Sequence, residues 1–352
     1  MHKMIVSCLA LIGVMSIASA GEVRAQALVL DGEEIGDAKL VAAAKAEGKL
    51  SVYSTNQTEL MQEVLDSWNK NVGIEINYLR VPTAKLYDRV LAEFSAGKLD
   101  VDYANLTDLT LIKEWLSRGI LAAHKVPWDD RIAPELKDPQ GRWYYSFRSM
   151  QTIAVNTELV KEADYPKSFK DLYDPKWKGK LGMQTVEAGG SALTLFAFLR
   201  MKVDPNSWER LAAVEPRTYA TSAPMYNDLV RGRIAAALGT ASAFSAAIEN
   251  GAPLKIMFPA EGMSTFGSMG NVTSTAKHPN AGRLWVNFLT SKHAAKFIAK
   301  QGVYATHPDA PRAEAAGYTF PPQNELWNIS ADQWDSIEKT WPDEWRKIFE
   351  KK

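Results

Sequence analysis

The 352-residue chain is poor in the residue types that most often carry chemistry. It has one cysteine, Cys8, and five histidines. A lone cysteine excludes an intrachain disulfide and a thiolate zinc site. His124, His278, His293 and His307 are scattered, with no HExxH spacing. The sequence also lacks a G-x-S-x-G turn, a P-loop and a G-x-G-x-x-G loop, so no catalytic residue is singled out. Charge of one sign is missing too: 41 Lys+Arg balance 41 Asp+Glu, which argues against nucleic acid as a partner. With 22 Gly and 17 Pro the chain has no low-complexity character. At two to three times the ~100–150-residue modal domain size, it predicts one large α/β unit or two lobes.

The one long apolar run lies at the start. Lys3 gives a short positive head, Met4 to Ile17 is apolar, and Ala18-Ser19-Ala20 fits a small-x-small cleavage site, as does Ala25-Gln26-Ala27. The run is shorter than the ~20 residues that span a bilayer. Residues 1–27 are therefore expected to be a signal peptide, cut after Ala20 or Ala27, that exports the chain to the periplasm. Ile5-Val6-Ser7-Cys8 superficially matches a lipidation box, but no hydrophobic region precedes it. Loss of residues 1–27 removes Cys8, Lys3, Arg24 and Glu22, leaving 39 basic against 40 acidic side chains.

Alternating periods organise the remainder. Leu50–Tyr53 reads as a strand and Glu59–Lys70 as a helix with Leu60, Met61, Val64, Leu65 and Trp68 on one face; Asn56 and Glu59 suit a capping box. Ile74–Leu79 alternates as a strand, Ala84–Ala96 is a helix stopped by Gly97, Val101–Tyr103 a short strand, and Asp108–Arg118 a helix stopped by Gly119. Arg142–Val155, rich in aromatic and β-branched residues, predicts paired extended strands. Alternation then restarts: strands at Lys180–Met183, Ile234–Leu238 and Leu254–Phe258, helices at Ser191–Arg200, Met225–Arg231 and through Ala281–Lys300. Such alternation predicts an α/β fold with parallel pairing, in two lobes joined by an extended crossover. Trp334, Ile337, Trp341, Trp345 and Ile348 recur at helical spacing and predict a C-terminal helical segment docking its aromatic face on a lobe, interrupted at Pro342.

Small polar residues collect at the predicted strand-to-helix turns: Ser54-Thr55-Asn56, Asn105 to Thr107, Thr185 to Ser191 and Thr221-Ser222. Ligands of open α/β sheets bind at the carboxyl ends of strands, where helix N-termini offer free N–H groups. Each such residue also suits a helix cap. Gly189-Gly190-Ser191 stands out, since glycine lets backbone approach a ligand and the following helix is apolar nearly all round.

Leu172-Tyr173-Asp174-Pro175-Lys176-Trp177-Lys178-Gly179-Lys180-Leu181-Gly182 resembles a run found in the ferric-iron-binding branch of bacterial periplasmic solute-binding proteins (extracellular solute-binding family 1) that serve ABC importers. Gly48 to Ser54, Leu229 to Leu238 and Lys277 to Ala281 also resemble that pattern in the same order, over about residues 38–320. The resemblance implies a type II periplasmic-binding fold: 38–151 and 269–352 as one lobe, 152–268 as the other, a hinge and a ligand cleft between them. It also implies docking on an inner-membrane ABC permease and no enzymatic activity. A monomer suffices for hinge closure.

Where that branch places its iron ligands, this chain has Gln57, Asn105, Ser242 and Ala243, none an anionic or imidazole donor for a hard ferric ion. Tyr144-Tyr145 is the alternative tyrosine pair. No metal or cofactor is expected. Arg148, near an arginine of the branch that holds an anion, with Gln151 beside it and Thr240 after the Ile234–Leu238 strand, completes the ligand-binding set: Ser54, Thr55, Asn56, Asn105, Arg148, Gln151, Thr185, Gly190, Ser191, Ser222 and Thr240. A salt bridge is the other role for Arg148. The expected solute is a small organic anion: a phosphonate, sugar phosphate or carboxylate. A ferric-iron or polyamine binder, the latter using Glu187, Tyr53, Tyr103 and Tyr219, remains open, as do an exported enzyme on the same fold and a ligand-sensing partner of a receptor. Phe244 and Phe266 suit either the solute's organic body or the core.

Overall fold

The computed structural model describes residues 26–186 and 190–350. Residues 1–25 of the expected leader, with Cys8, and Glu187 and Gly189 lie outside the described residues. A short hairpin, β1 (Leu28–Leu30) and β2 (Glu33–Gly36), leads into α1 (Ala38–Glu47). The first lobe then alternates β3 (Lys49–Ser54), α2 (Thr58–Asn71), β4 (Glu75–Arg80), α3 (Thr83–Ser95), β5 (Tyr103–Leu106) and α4 (Leu109–Ser117). α2 forms as its periodicity predicts: Met61, Val64, Leu65 and Trp68 are buried on one face. The third strand starts later than expected. It runs from Tyr103; just before it, Asp102 N donates to Ser51 O (2.9 Å) while its carboxylate accepts from Ser51 N (2.8 Å) and His278 N (2.8 Å).

The Arg142–Val155 stretch is not a pair of strands. It is one 13-residue strand, β6 (Tyr144–Asn156), buried throughout. Burial on both faces removes any need for a turn, and its partners come from far along the chain. Beyond it lie β7 (Leu181–Gln184), α5 (Gly190–Phe198), α6 (Ser207–Ala213), β8 (Arg217–Tyr219), α7 (Ser222–Val230), β9 (Ala236–Thr240), α8 (Ala241–Glu249), β10 (Leu254–Ile256) and β11 (Ser264–Val272). The chain closes with α9 (Pro279–Leu289), α10 (Lys292–Lys300), β12 (Val303–Ala305), the hairpin β13 (Glu314–Ala315) and β14 (Tyr318–Thr319), α11 (Ala331–Ile337) and α12 (Trp341–Phe349). Pro342 sits in the first turn of α12, where its missing N–H costs nothing.

The main sheet runs β4-β3-β5-β11-β6-β9-β7-β8, with β10 and β12 also paired to β6. β3, β4 and β5 are parallel, as are β7, β8 and β9. The antiparallel strands β6 and β11 join the two parallel sets. The core divides accordingly. One cluster holds Trp68, Tyr103, Trp115, Tyr144, Trp285 and Phe288; another holds Ile153, Phe169, Trp177, Phe196, Trp208 and Trp345; a third surrounds Met150, Phe244 and Phe320. β6 contributes to all three, so it links the packing of the two parallel sets.

The run from Asp174 to Gly182 is architecture. Asp174 accepts from Lys176 N (2.8 Å) and closes a 3-10 turn over Pro175–Trp177. Trp177, buried, donates its Nε1–H to Asp171 O (2.9 Å). Gly179 takes φ 70°, a left-handed conformation that favours glycine, and the chain passes straight into β7. The Trp stripe of the C-terminus docks as expected on a lobe: Trp345 is 0% exposed, stacked on Phe349 (4.8 Å) and tilted against Phe196 (5.5 Å).

Candidate functional site

The turn after β5 in one parallel set meets the start of α5, which follows β7 in the other. After β5, Thr107 and Asp108 lead into α4; Gly190 opens α5 on the other lobe. A Cβ at Gly190 would lie 2.9 Å from Thr107 O and 3.2 Å from the Asp108 Cα. This contact brings together two strand-to-helix turns, the places at which ligands of open α/β sheets bind.

In the first lobe, Ser54, Thr55, Asn56 and Asn105 come together as one network. Asn105 Oδ1 accepts from Thr55 N (2.9 Å), Thr55 Oγ1 (3.1 Å) and Ser54 Oγ (3.2 Å). Asn56 donates to Ser146 Oγ (3.1 Å) and accepts from Ser268 Oγ; Thr55 Oγ1 is 3.2 Å from the same Ser268 hydroxyl. Asn56 thus does not form the expected capping box with Glu59, because its amide is spent on the crossover strands. The N-cap of α2 is Gln57, which makes no side-chain cap. Ser146 and Ser268 carry no motif, and only the pairing of β6 with β11 reveals them.

At the boundary with the second lobe, Gln151 donates to Ser191 O (2.9 Å) and accepts from Ser264 Oγ (3.0 Å), tying the start of α5 to both crossover strands. Thr240, the N-cap of α8, uses its N–H (3.2 Å) and hydroxyl (3.0 Å) on Tyr226 Oη. Burial raises the Tyr226 pKa, so that hydroxyl stays protonated. Thr185 N donates to Tyr219 O (2.9 Å), and Ser222 opens α7, both half-buried at strand ends.

Arg148 stands apart. Three residues from Gln151 on an extended strand, it points to the opposite face. There it donates to Thr265 Oγ1 and lies over the Tyr145 ring (5.7 Å). With the Gln323 amide turned to satisfy its neighbours, Gln323 accepts from Arg148 Nη1 (3.0 Å). Among the described residues it has no ion pair, and burial lowers its pKa from the usual arginine value. Nor does the Tyr144-Tyr145 pair reach the cleft together: Tyr144 donates to Asp129 (2.6 Å) in the first core, while Tyr145 packs edge-on to Trp143.

Helices α2, α3, α7 and α8 begin at these strand ends with no cap from the N-cap side chain, as do α6, α9 and α12 elsewhere, whereas Asp37, Ser291 and Ser330 cap α1, α10 and α11. At α2, α3, α7 and α8 the first N–H groups and partial positive charge are left for water or a ligand. At α4 the place is filled: Asp108 accepts from Thr110 N (3.0 Å) and Leu111 N (3.2 Å), and burial raises its pKa. Among the described residues, no three His, Cys, Asp or Glu side chains converge as a metal site requires. Nor is any helix among them long and apolar enough to cross a membrane.

Two parallel strand sets joined by the antiparallel strands β6 and β11 have the architecture of the two-lobed type II periplasmic-binding fold. Residues 99–336 match the family model of the bacterial extracellular solute-binding proteins, and the chain belongs to that family. It is a solute-binding protein of the ABC-transporter type, not an enzyme. Solved structures agree on the fold. The periplasmic binding protein AfuA from Actinobacillus pleuropneumoniae, with fructose-6-phosphate bound, superposes with TM-score 0.71 at 20% identity, over 86% of this chain and 99% of that one. Iron-bound HitA from Pseudomonas aeruginosa gives 0.69 at 19%, over 85% and 99%. A Serratia marcescens Fe(3+)-binding periplasmic protein is 20% identical over 78% of this chain and 88% of its own length.

Proposed function

We propose that the protein captures a small organic anion, a phosphonate, sugar phosphate or carboxylate, by closing its lobes, and delivers it to an inner-membrane permease. The observation that carries this reading is the set of uncapped helix N-termini, α2 and α3 on one lobe and α7 and α8 on the other, beside hydroxyl and amide side chains. Such a site favours negative charge and needs no metal. The fructose-6-phosphate bound to AfuA supports the same class. Gln57, Asn105, Ser242 and Ala243 offer ferric iron no anionic donor, which weighs against the iron reading despite the iron-binding relatives.

The ligand set we propose comprises Thr55, Asn56, Asn105, Gln151, Thr185, Gly190, Ser191, Ser222 and Thr240, with Ser54 holding Asn105 in place. Arg148 fits a structural role behind the crossover better. The lobes we propose follow the division at 151/152 and 268/269, with α12 counted with the second lobe on whose core it packs. Export to the periplasm with cleavage after Ala20 or Ala27, and action as a monomer, complete the reading. Native mass spectrometry of protein purified from a bacterial periplasm tests it. A retained organic phosphate or carboxylate is expected; retained iron would overturn it.

A further inference from the structure

The C-terminal segment grips both lobes. α12 is rooted in the second: Trp345 is fully buried beside Phe196, and Trp341 packs edge-on to Trp208 (5.2 Å). α11, a short turn earlier, lies instead on α4 of the first lobe. Trp334 Nε1 donates to Thr110 Oγ1 (2.5 Å), Thr110 Oγ1 donates to Glu338, and Lys113 pairs with Asp335. Beneath these contacts Leu193 and Ala197 of α5 join Ile329, Trp334 and Ile337 in a small apolar cluster, with Leu109 of α4 at its edge. This spans the same flank on which Gly190 meets Asp108.

We infer that segment 329–349 is a latch across the lobes, which engages as they close and sets how readily they open. The inference rests on the reading that the lobes move. Its two attachments differ in kind: the Lys113–Asp335 pair is 37% and 53% exposed, whereas Trp345 is 0% exposed. Separating α4 from α11 parts the Lys113–Asp335 pair and the Trp334–Thr110 hydrogen bond while Trp334 and Ile337, each 2% exposed, stay packed on Leu193 and Ala197 of α5; withdrawing α12 would uncover an aromatic core. The latch therefore releases at α4, and α11 travels with the second lobe. The Thr110, Lys113 and Trp334 contacts then belong to the closed state and tighten the hold on any solute that requires closure.

Spin labels on Lys70→Cys and Lys202→Cys, one exposed site per lobe, in a Cys8→Ser background report the inter-lobe distance in ligand-free protein. Asp335→Lys is expected to raise the long-distance population by up to about fivefold, the scale of one exposed ion pair, and Lys113→Asp with Asp335→Lys to return it. Trp334→Ala should shift it the same way, with circular dichroism checking that α11 still forms. If wild type populates two distances and neither single variant changes their ratio, the latch is overturned while hinge motion stands. One unchanging distance in every protein would overturn both.

Discussion

Gly190, the first residue of α5, stands against Asp108, the N-cap of α4, so closely that a single methyl group would not fit: it would lie 2.9 Å from the Thr107 carbonyl oxygen. The two lobes meet at this point, and the side chain that glycine lacks is what lets them.

Gly190→Ala should therefore separate two properties. Alanine favours a helix by roughly 1 kcal/mol over glycine, so thermal stability should hold or rise. Closure should suffer, because the obstructing atoms are backbone. Solute affinity is expected to fall at least about tenfold (~1.4 kcal/mol) while Tm does not fall. Calorimetric titration beside thermal unfolding reads both.

Asp108 links that contact to pH. Burial raises its folded pKa above the unfolded value of about 3.9. Its contribution to stability is thus fully present below that value and is lost as pH rises through the folded pKa. Asn is an equally good N-cap. Asp108→Asn should match wild type in Tm at acid pH and exceed it increasingly as pH rises to neutrality; equal Tm values across the range would contradict this.

Asn105→Ala removes the acceptor shared by Ser54 Oγ, Thr55 N and Thr55 Oγ1. Buried donors left without partners cost roughly 1–3 kcal/mol. Urea unfolding should show a loss of that size with an unchanged m-value.

Thr55→Ala with Ser191→Ala probes the two sides of the cleft together. Both side chains are half-buried, and neither carries core packing. Each hydroxyl hydrogen bond is worth about 0.5–1.5 kcal/mol, so the pair should weaken solute binding roughly tenfold without unfolding the protein. Unchanged affinity would move the pocket elsewhere.

Much of this was legible because it is local. The faces of α2, the strand β3 and the stop at Gly119 follow from spacing and from glycine's tolerance of φ 71°. Ser54, Thr55, Asn56 and Asn105 were recognisable as turn residues at strand ends. Their assembly with Ser146 and Ser268 was not, since Asn56 and Ser268 are 212 positions apart and meet only through the β6–β11 ladder. Arg148 and Gln151 looked like neighbours in sequence, but strand alternation sends them to opposite faces. The Asn56–Glu59 capping box failed for a related reason: a distant hydroxyl competed successfully for the Asn56 amide.

The central claim, a metal-free cleft that selects an organic anion, is tested most directly by thermal unfolding of the protein with ferric citrate, phosphonates, sugar phosphates, small carboxylates and polyamines in turn. A ligand at one hundred times its Kd adds about 2.7 kcal/mol, which raises Tm by several degrees. The account predicts a shift with an organic phosphate, phosphonate or carboxylate and none with polyamines or with ferric ion beyond its citrate control. A shift that requires ferric ion would contradict it.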